Sequence, residues 1–347
     1  MLRYLTAGES HGKALLAILE GLPSGLKVAK EKIDAELARR QSGYGRGARM
    51  RIEKDRVEII SGLHKGFTIA SPLGMLIENK DFSIDHMPEV VHPRPGHADL
   101  AGALKYGFDD CRSALERASA RETAIRVAVG AVCKIFLNEF AISVKSKALA
   151  IGGKVTPEAV HKIIDEAREK KDTLGGVFDI AISGVPAGLG SYVQPDRRLN
   201  GRLAQAVMSI PGIKALEFGM GFISANKFGS EVHDAIYYSK VKGYYRKTNN
   251  AGGIEGGVSN GQDILICAYM KPIATLGKPL NSVGIKTKKA HPASIQRADI
   301  CAVEAAGVVA EAMCAFVIAD CLLEKFGADS LKDIKQAFRA YLKRISQ

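Results

Sequence analysis

Residues 3–19 read RYLTAGESHGKALLAIL, and this stretch decides the fold class. Arg3–Thr6 and Ala14–Leu19 both have strand patterns, and only the loop Gly8-Glu-Ser-His-Gly12 separates them. The ranges 50–60 and 67–78 again read as successive strands. Helix patterns fall at 30–41, where Ile33 and Leu37 share a face, and at 98–108 and 120–139. A helix opens at Thr156-Pro157, with proline at its first position. A strand at Val177–Ser183, a helix through Leu199, Leu203, Val207 and Ile210, and a strand at Asp263–Met270 follow. A long apolar helix near 300–324 precedes a last one bearing Leu331, Ile334, Phe338, Tyr341 and Ile345. Strands come in succession and regular βαβ alternation is absent. The expectation is therefore α+β, with sheets packed on helices, rather than a doubly wound parallel sheet.

The chain has 347 residues, a length that alone suggests about two domains. No linker or charge block divides it, so one large domain and two fused lobes both stay open. The net charge of +12, from 49 Lys and Arg against 37 acids, fits a basic surface, an anionic small molecule or nucleic acid. The absence of Trp and an aromatic content of 6% argue against base-stacking platforms for single strands. Six cysteines without a Cys-x-x-Cys pair read as buried thiols in a reducing compartment. No signal peptide is visible at the N-terminus. Glu304, Glu311 and Asp320 within the apolar helix argue for a core element over a membrane span. No histidine or cysteine cluster has metal-ligand spacing, so no metal site is expected.

The chemistry concentrates at 92–123. His92-Pro-Arg-Pro-Gly-His97 stiffens Arg94 between two prolines, and Gly96 allows close approach to His97. Glu116-Arg-Ala-Ser-Ala-Arg-Glu-Thr123 contains a Ser-x-x-Glu box at Ser119 and Glu122, which reads as a helix start flanked by Arg117 and Arg121. His11, in its glycine-flanked loop, can donate a proton near neutral pH. Arg39, Arg40, Arg46, Arg49 and Arg51 place five guanidiniums over a helix end and a glycine loop. They suit phosphate or carboxylate, a solvated basic face, or an RNA-binding Arg-Gly loop. The run Thr248–Gly261 lacks a Rossmann or P-loop context; it reads as a flexible surface loop or a binding loop, and its length and glycine density favour the latter. Asp299, near the mouth of the apolar helix, reads by itself as a helix-start partner.

Taken in order, these motifs resemble the chorismate synthase family nearly end to end. The matching pieces are Gly8-Glu-Ser-His-Gly12, Arg39-Arg40-Gln-Ser-Gly-Tyr-Gly-Arg46, Arg94-Pro-Gly-His97-Ala-Asp99, Arg117-Ala-Ser-Ala-Arg121-Glu-Thr, Asn250-Ala-Gly-Gly-Ile-Glu-Gly-Gly257 and Arg297-Ala-Asp299. The resemblance implies a β-α-β sandwich of helices between antiparallel sheets, a single domain over 1–347, a homotetramer and a cytoplasmic location. It implies a lyase of the shikimate pathway that converts 5-enolpyruvylshikimate 3-phosphate to chorismate with reduced FMN and no net redox change. Carried over by position, His11 is the acid beside the leaving phosphate, His97 sits beside the flavin, and Asp299 relays the flavin proton. Arg40, Arg46, Arg49, Arg94, Ala120, Arg121 and Arg297 match substrate positions. Arg117, Ala118, Ser119, Pro211, Gly212, Gly256, Lys271, Pro272, Ile273, Ala274, Thr275 and Arg297 match FMN positions. Arg40 and Arg46 also match positions assigned to NADP in relatives that reduce their own flavin, so NADPH enters only as a reductant. No nucleic acid or membrane partner is implied. Ala118 and Ala298 depart from the hydroxyl or imidazole that many relatives carry, and the segments around 80–92 and 145–172 are shorter.

A basic nucleic-acid binder built on the Arg-Gly loop is the rival of a different class, but no recognisable module stands beside that loop. A flavin oxidoreductase would need a hydride-donor site, and the sequence holds no dinucleotide fingerprint.

Overall fold

The computed structural model describes residues 1–47, 53–296 and 298–346; Arg49, Arg51 and Arg297 lie outside the described residues. Strands β1 (Arg3–Ala7), β2 (Ala14–Glu20), β3 (Glu58–Ser61) and β4 (Leu73–Glu78) form an antiparallel sheet in the order β1-β2-β4-β3. Strands β5 (Ser143–Ile151), β6 (Gly176–Ser183), β7 (Ile213–Phe218) and β8 (Ile264–Met270) form a second in the order β5-β6-β8-β7. Among the described residues, the helices of seven residues or more are α1 (Lys30–Gln41), α2 (Asp99–Tyr106), α3 (Arg112–Ala118), α4 (Thr123–Asn138), α5 (Pro157–Glu169), α6 (Leu199–Met208), α7 (Val303–Phe326) and α8 (Leu331–Ile345). Helix α4 packs on α7, α1 and β2, and α7 packs on β5 and β6, so these helices fill the layer between the sheets. The expected α+β sandwich is what the chain forms.

Period-two burial drives the sheets. In β2, Leu15, Ala17 and Leu19 are buried while Leu16 and Ile18 face outward. Helix α7 is apolar nearly all round. It is long and apolar enough to cross a membrane, yet 94% of its apolar window is buried inside the fold, as expected of a core helix. Its crossing with α4 depends on Gly130, where a Cβ would sit 2.2 Å from the Cβ of Ala312. Gly130→Ala should therefore lower stability by about 1–3 kcal/mol, overpacking outweighing the helix propensity gained. A denaturant midpoint at or above that of the parent protein would contradict this crossing.

Some local expectations shift. The 67–78 strand breaks into Phe67–Thr68 and Leu73–Glu78 around Pro72, which has no N–H for a ladder. The strand expected over 50–60 narrows to Glu58–Ser61 within the described residues. The helix from 120 begins as a 3-10 turn at Ala120–Glu122. Ser119 Oγ does accept from Arg121 N–H at 3.3 Å, but Glu122 does not reach back to close the box. Its carboxylate instead accepts from Thr6 Oγ1 at 2.9 Å and Arg126 Nε at 3.0 Å. All six cysteines are free thiols, five of them buried. Helix α5 keeps its predicted start, with Thr156 Oγ1 accepting from Ala159 N–H at 3.4 Å.

The 92–123 stretch shares a small second core with the segments around Val90 and Ile285. Val90, Ala103, Cys111, Leu115 and Ile285 cluster away from the main core, holding α2 and α3 together beneath the histidine-bearing loops. Gly107, at φ 68°, ends α2 in the left-handed conformation that glycine adopts without strain.

Candidate functional site

Three groups of side chains carry the candidate chemistry, and Asn79 ties the first two together. The first surrounds His11, in the β1–β2 loop. Its Nδ1 lies 2.9 and 3.0 Å from the carboxylate oxygens of Glu116 on α3, and its Nε2 lies 3.9 Å from Asp81. Ser10 and Ser119 hydroxyls meet at 3.2 Å beside it. Arg117 donates to Gly8 O at 3.2 Å and Thr6 Oγ1 at 3.2 Å, so it braces the same loop from an exposed position.

The second group is basic. Arg40, from the last turn of α1, is buried; its Nε donates to Thr123 Oγ1 at 3.0 Å and its Nη2 to the carbonyl of Ala120 at 2.9 Å. Arg121 donates through Nε to Asn79 Oδ1 at 2.9 Å and through Nη1 to Asp55 Oδ1 at 2.6 Å. Asn79 in turn donates to Gly12 O at 2.7 Å, tying the arginines to the His11 loop. Among the described residues, Arg40 Nη1, Arg121 Nη2 and Asp55 Oδ2 are buried without a hydrogen-bond partner. The charge pairs there stand off at 3.6 Å (Arg40 to Asp55) and 3.7 Å (Arg121 to Glu53). Burial pulls the Arg40 guanidinium down to about 10, with Asp55 opposing and Arg46 and Arg121 adding to the fall. Two buried cations with unsatisfied N–H groups are suited to receive an anion. Arg46 forms an ion pair with Asp299 at 2.7 Å, and Gly47 N–H donates to the same carboxylate at 2.6 Å. Arg39, one residue before Arg40, turns the other way. It pairs with Glu36 and with Glu311, beside a cavity of about 360 Å³ also lined by Lys134, so it leaves the anion cluster.

The third group surrounds His97. Asp99, fully buried, accepts from Arg94 Nε at 2.8 Å, Arg94 Nη2 at 2.9 Å and His97 Nδ1 at 2.6 Å. Arg94 Nη1 donates to Thr275 Oγ1 at 2.6 Å. Burial works to raise the Asp99 carboxyl, but the bonds from Arg94 and His97 prevail and hold it far below the usual carboxylate range. An anion only accepts, so Nδ1 of His97 carries the hydrogen and Nε2 is the nitrogen left for a ligand. The nearby Arg94 Nη2, 3.0 Å from Nδ1, directs its hydrogen to Asp99 as well. Arg94, expected from the sequence to face substrate, thus has its guanidinium engaged behind His97. Its fixed prolines aim it at Asp99, five residues on.

Around His97, Lys271 Nζ bonds the carbonyl of Gly96 and Lys271 N–H donates to Gly212 O at 2.9 Å. Pro211-Gly212, Lys271-Pro-Ile-Ala-Thr275 and Gly96 therefore converge, with Ile273 O accepting from Thr173 at 2.7 Å. Desolvation lowers Lys271 below the ordinary lysine value, with Lys214 adding to it. Gly96, at φ 79°, has Lys271 Nζ 3.2 Å from where a Cβ would lie. This lysine, the exposed Arg117 and the backbone amides of these turns have the chemistry to hold a phosphate-bearing planar cofactor. Gly256, assigned to the flavin by resemblance, stands at the opposite end of α6 from Gly212. Its neighbour Gly257 accepts from Leu199 N–H at the first turn of α6, whereas Gly212 follows the last. Ten helical residues, about 15 Å of rise, lie between. Ala118, at the end of α3, supplies no hydroxyl, and only a backbone contact is available there.

Glu116, Asp99, Asp55, Glu53 and Asn79 were not singled out in the sequence. Of these, Asp99 carried a signal, an acid two residues beyond His97, whereas Glu116 lies 105 residues from the His11 it holds.

The chorismate synthase family model matches residues 2–323. Chorismate synthase of Thermoanaerobacter pseudethanolicus is 58% identical over 344 residues, covering 98% of each chain. That of Aquifex aeolicus is 49% identical over 390 aligned positions, covering 99% of this chain and 98% of its own. A crystal structure of chorismate synthase superposes with a TM-score of 0.82 at 43% identity, covering 99% of this chain and 98% of that one. On this geometry and these matches, the chain belongs to the chorismate synthase family.

Proposed function

We propose that residues 1–347 act as one unit that eliminates phosphate from 5-enolpyruvylshikimate 3-phosphate to give chorismate, with reduced FMN as cofactor. The observation that carries this reading is the buried pair Arg40 and Arg121, each with an N–H group that no described residue accepts, joined through Asn79 to the loop of His11. Guanidiniums placed there would bind a departing phosphate, and the His11 imidazole would protonate it. Reduced FMN, when bound, supplies the electron density that helps expel the phosphate and takes up the ring proton. His97 would sit against the flavin with Nε2, and Arg117, Ser119, Lys271 and the turns at 211–212 and 271–275 would hold it. Asp299 would relay the proton once Arg46 turns to an anionic ligand. Arg49 and Arg297 are assigned to substrate by resemblance alone, and Arg94 to holding Asp99.

The outer face of the first sheet exposes Leu5, Leu16, Ile18 and Ile60, each at least 40% accessible. An apolar face of this kind supports assembly into the family's homotetramer. A cytoplasmic site fits the free thiols. Anaerobic incubation with substrate and photoreduced FMN should release phosphate and chorismate in equal amounts. A folded, flavin-saturated sample that releases neither would overturn the reading. Repeating the assay with oxidised FMN and NADPH tests whether Arg40 and Arg46 serve a reductant.

A further inference from the structure

Helix α3 clamps the loop that carries His11, and the clamp is one carboxylate. Glu116 Oε2 accepts the backbone N–H of His11 at 2.8 Å, and both carboxylate oxygens meet ring Nδ1 at 2.9 and 3.0 Å. The Glu116 carbonyl also accepts Ser10 N–H at 3.1 Å. The Glu116 side chain has no exposed surface. Behind it, Arg112 donates to Oε1 at 3.2 Å while holding Pro88 O at 2.8 Å. Burial alone would raise the Glu116 carboxyl, but the bonds from His11 and Arg112 prevail and keep it below its ordinary value. An ionised carboxylate has no hydrogen to give, so Nδ1 keeps its hydrogen in both charge states: the imidazolium gives up its Nε2 proton and returns to the neutral Nδ1–H tautomer. With the backbone and ring of His11 bound to one rigid side chain, both the ring plane and the tautomer are set by α3.

We propose that Glu116 is a positioning residue for His11, fixing the Nδ1–H tautomer and turning Nε2 toward the leaving group. The proposal rests on His11 being the acid of the proposed reaction; Glu116 itself touches no substrate. A purely structural staple would hold the loop without governing which ring nitrogen is protonated.

Two measurements separate these roles. In protein labelled with 15N-histidine, at a pH where the ring is neutral, nitrogen–proton correlation spectra should show His11 as the Nδ1–H tautomer. An Nε2–H tautomer in the parent protein overturns the proposal whether or not any variant folds. Glu116→Gln should lower kcat about 10–100-fold, with KM and reduced-FMN affinity within about twofold and a mixed tautomer; Glu116→Asp should restore part of the rate. His11→Ala, run alongside, keeps the two claims apart. If it retains the parent rate, the acid role of His11 fails. If it is slow while Glu116→Gln retains both rate and tautomer, the positioning role of Glu116 fails.

Discussion

His11→Ala should slow chorismate formation by about 10²–10⁴-fold, the range expected when a general acid is removed. Reduced FMN should bind as before, because the residues proposed to hold it, such as Lys271 and Ser119, do not depend on the imidazole. The side chain projects from a loop that stays fixed by other bonds, including Asn79 to Gly12 O at 2.7 Å and Ile84 N–H to His11 O at 3.1 Å. The loss should therefore appear in kcat, with the fold intact. Equal falls in flavin affinity and rate would instead indicate that the loop had collapsed. A rate within threefold of the parent would remove His11 from the chemistry.

Glu311→Leu should have the largest effect on stability, about 2–4 kcal/mol, because it takes the buried partner from the half-buried Lys134 and leaves Ser146 N–H without its acceptor. Glu311, fully buried on α7, accepts from Arg39 Nη2 at 2.8 Å, Ser146 N–H at 2.7 Å and Ser146 Oγ at 2.6 Å, and also pairs with Lys134. It thereby joins α1, α4, α7 and β5 in the layer between the sheets. Burial raises its carboxyl, but Arg39 and Lys134 prevail and bring it to about 2. A depressed carboxylate contributes stability that is complete above its unfolded value near 4.3 and is lost as pH falls toward 2. The parent protein should thus lose stability between about pH 5 and 2, and Glu311→Gln should flatten that acid limb while lowering stability at pH 7. Denaturant midpoints across this range would show it; identical slopes for the two proteins would remove Glu311 from the acid response.

Much of the architecture was legible because its signals are local. The two strands flanking Gly8–Gly12, the apolar α7 and the Thr156 cap each rest on patterns within a few residues. Strand β5 was not read because Lys145 and Lys147 interrupt it; on an edge strand those lysines face outward, where charge discourages edge pairing. In the site, the residue types and their neighbourhoods were legible, but pairing was not. Arg94 looked free to meet a ligand because nothing in the sequence reveals that Asp99 folds back to take its guanidinium. Likewise, Glu122 had the spacing of a capping box, yet β1 brings Thr6 within reach and redirects the carboxylate. Sequence indicates which groups can carry charge, whereas the tertiary fold decides which charges remain available.

In the proposed reaction the flavin acts without being consumed. The direct measurement is anaerobic: a fixed, substoichiometric amount of reduced FMN is mixed with protein and excess 5-enolpyruvylshikimate 3-phosphate, and flavin absorbance, chorismate and phosphate are followed together. The expected result is many chorismates per flavin, one phosphate for each, and a flavin still reduced at the end. One product per flavin with matching flavin oxidation would show net electron transfer and contradict the assignment.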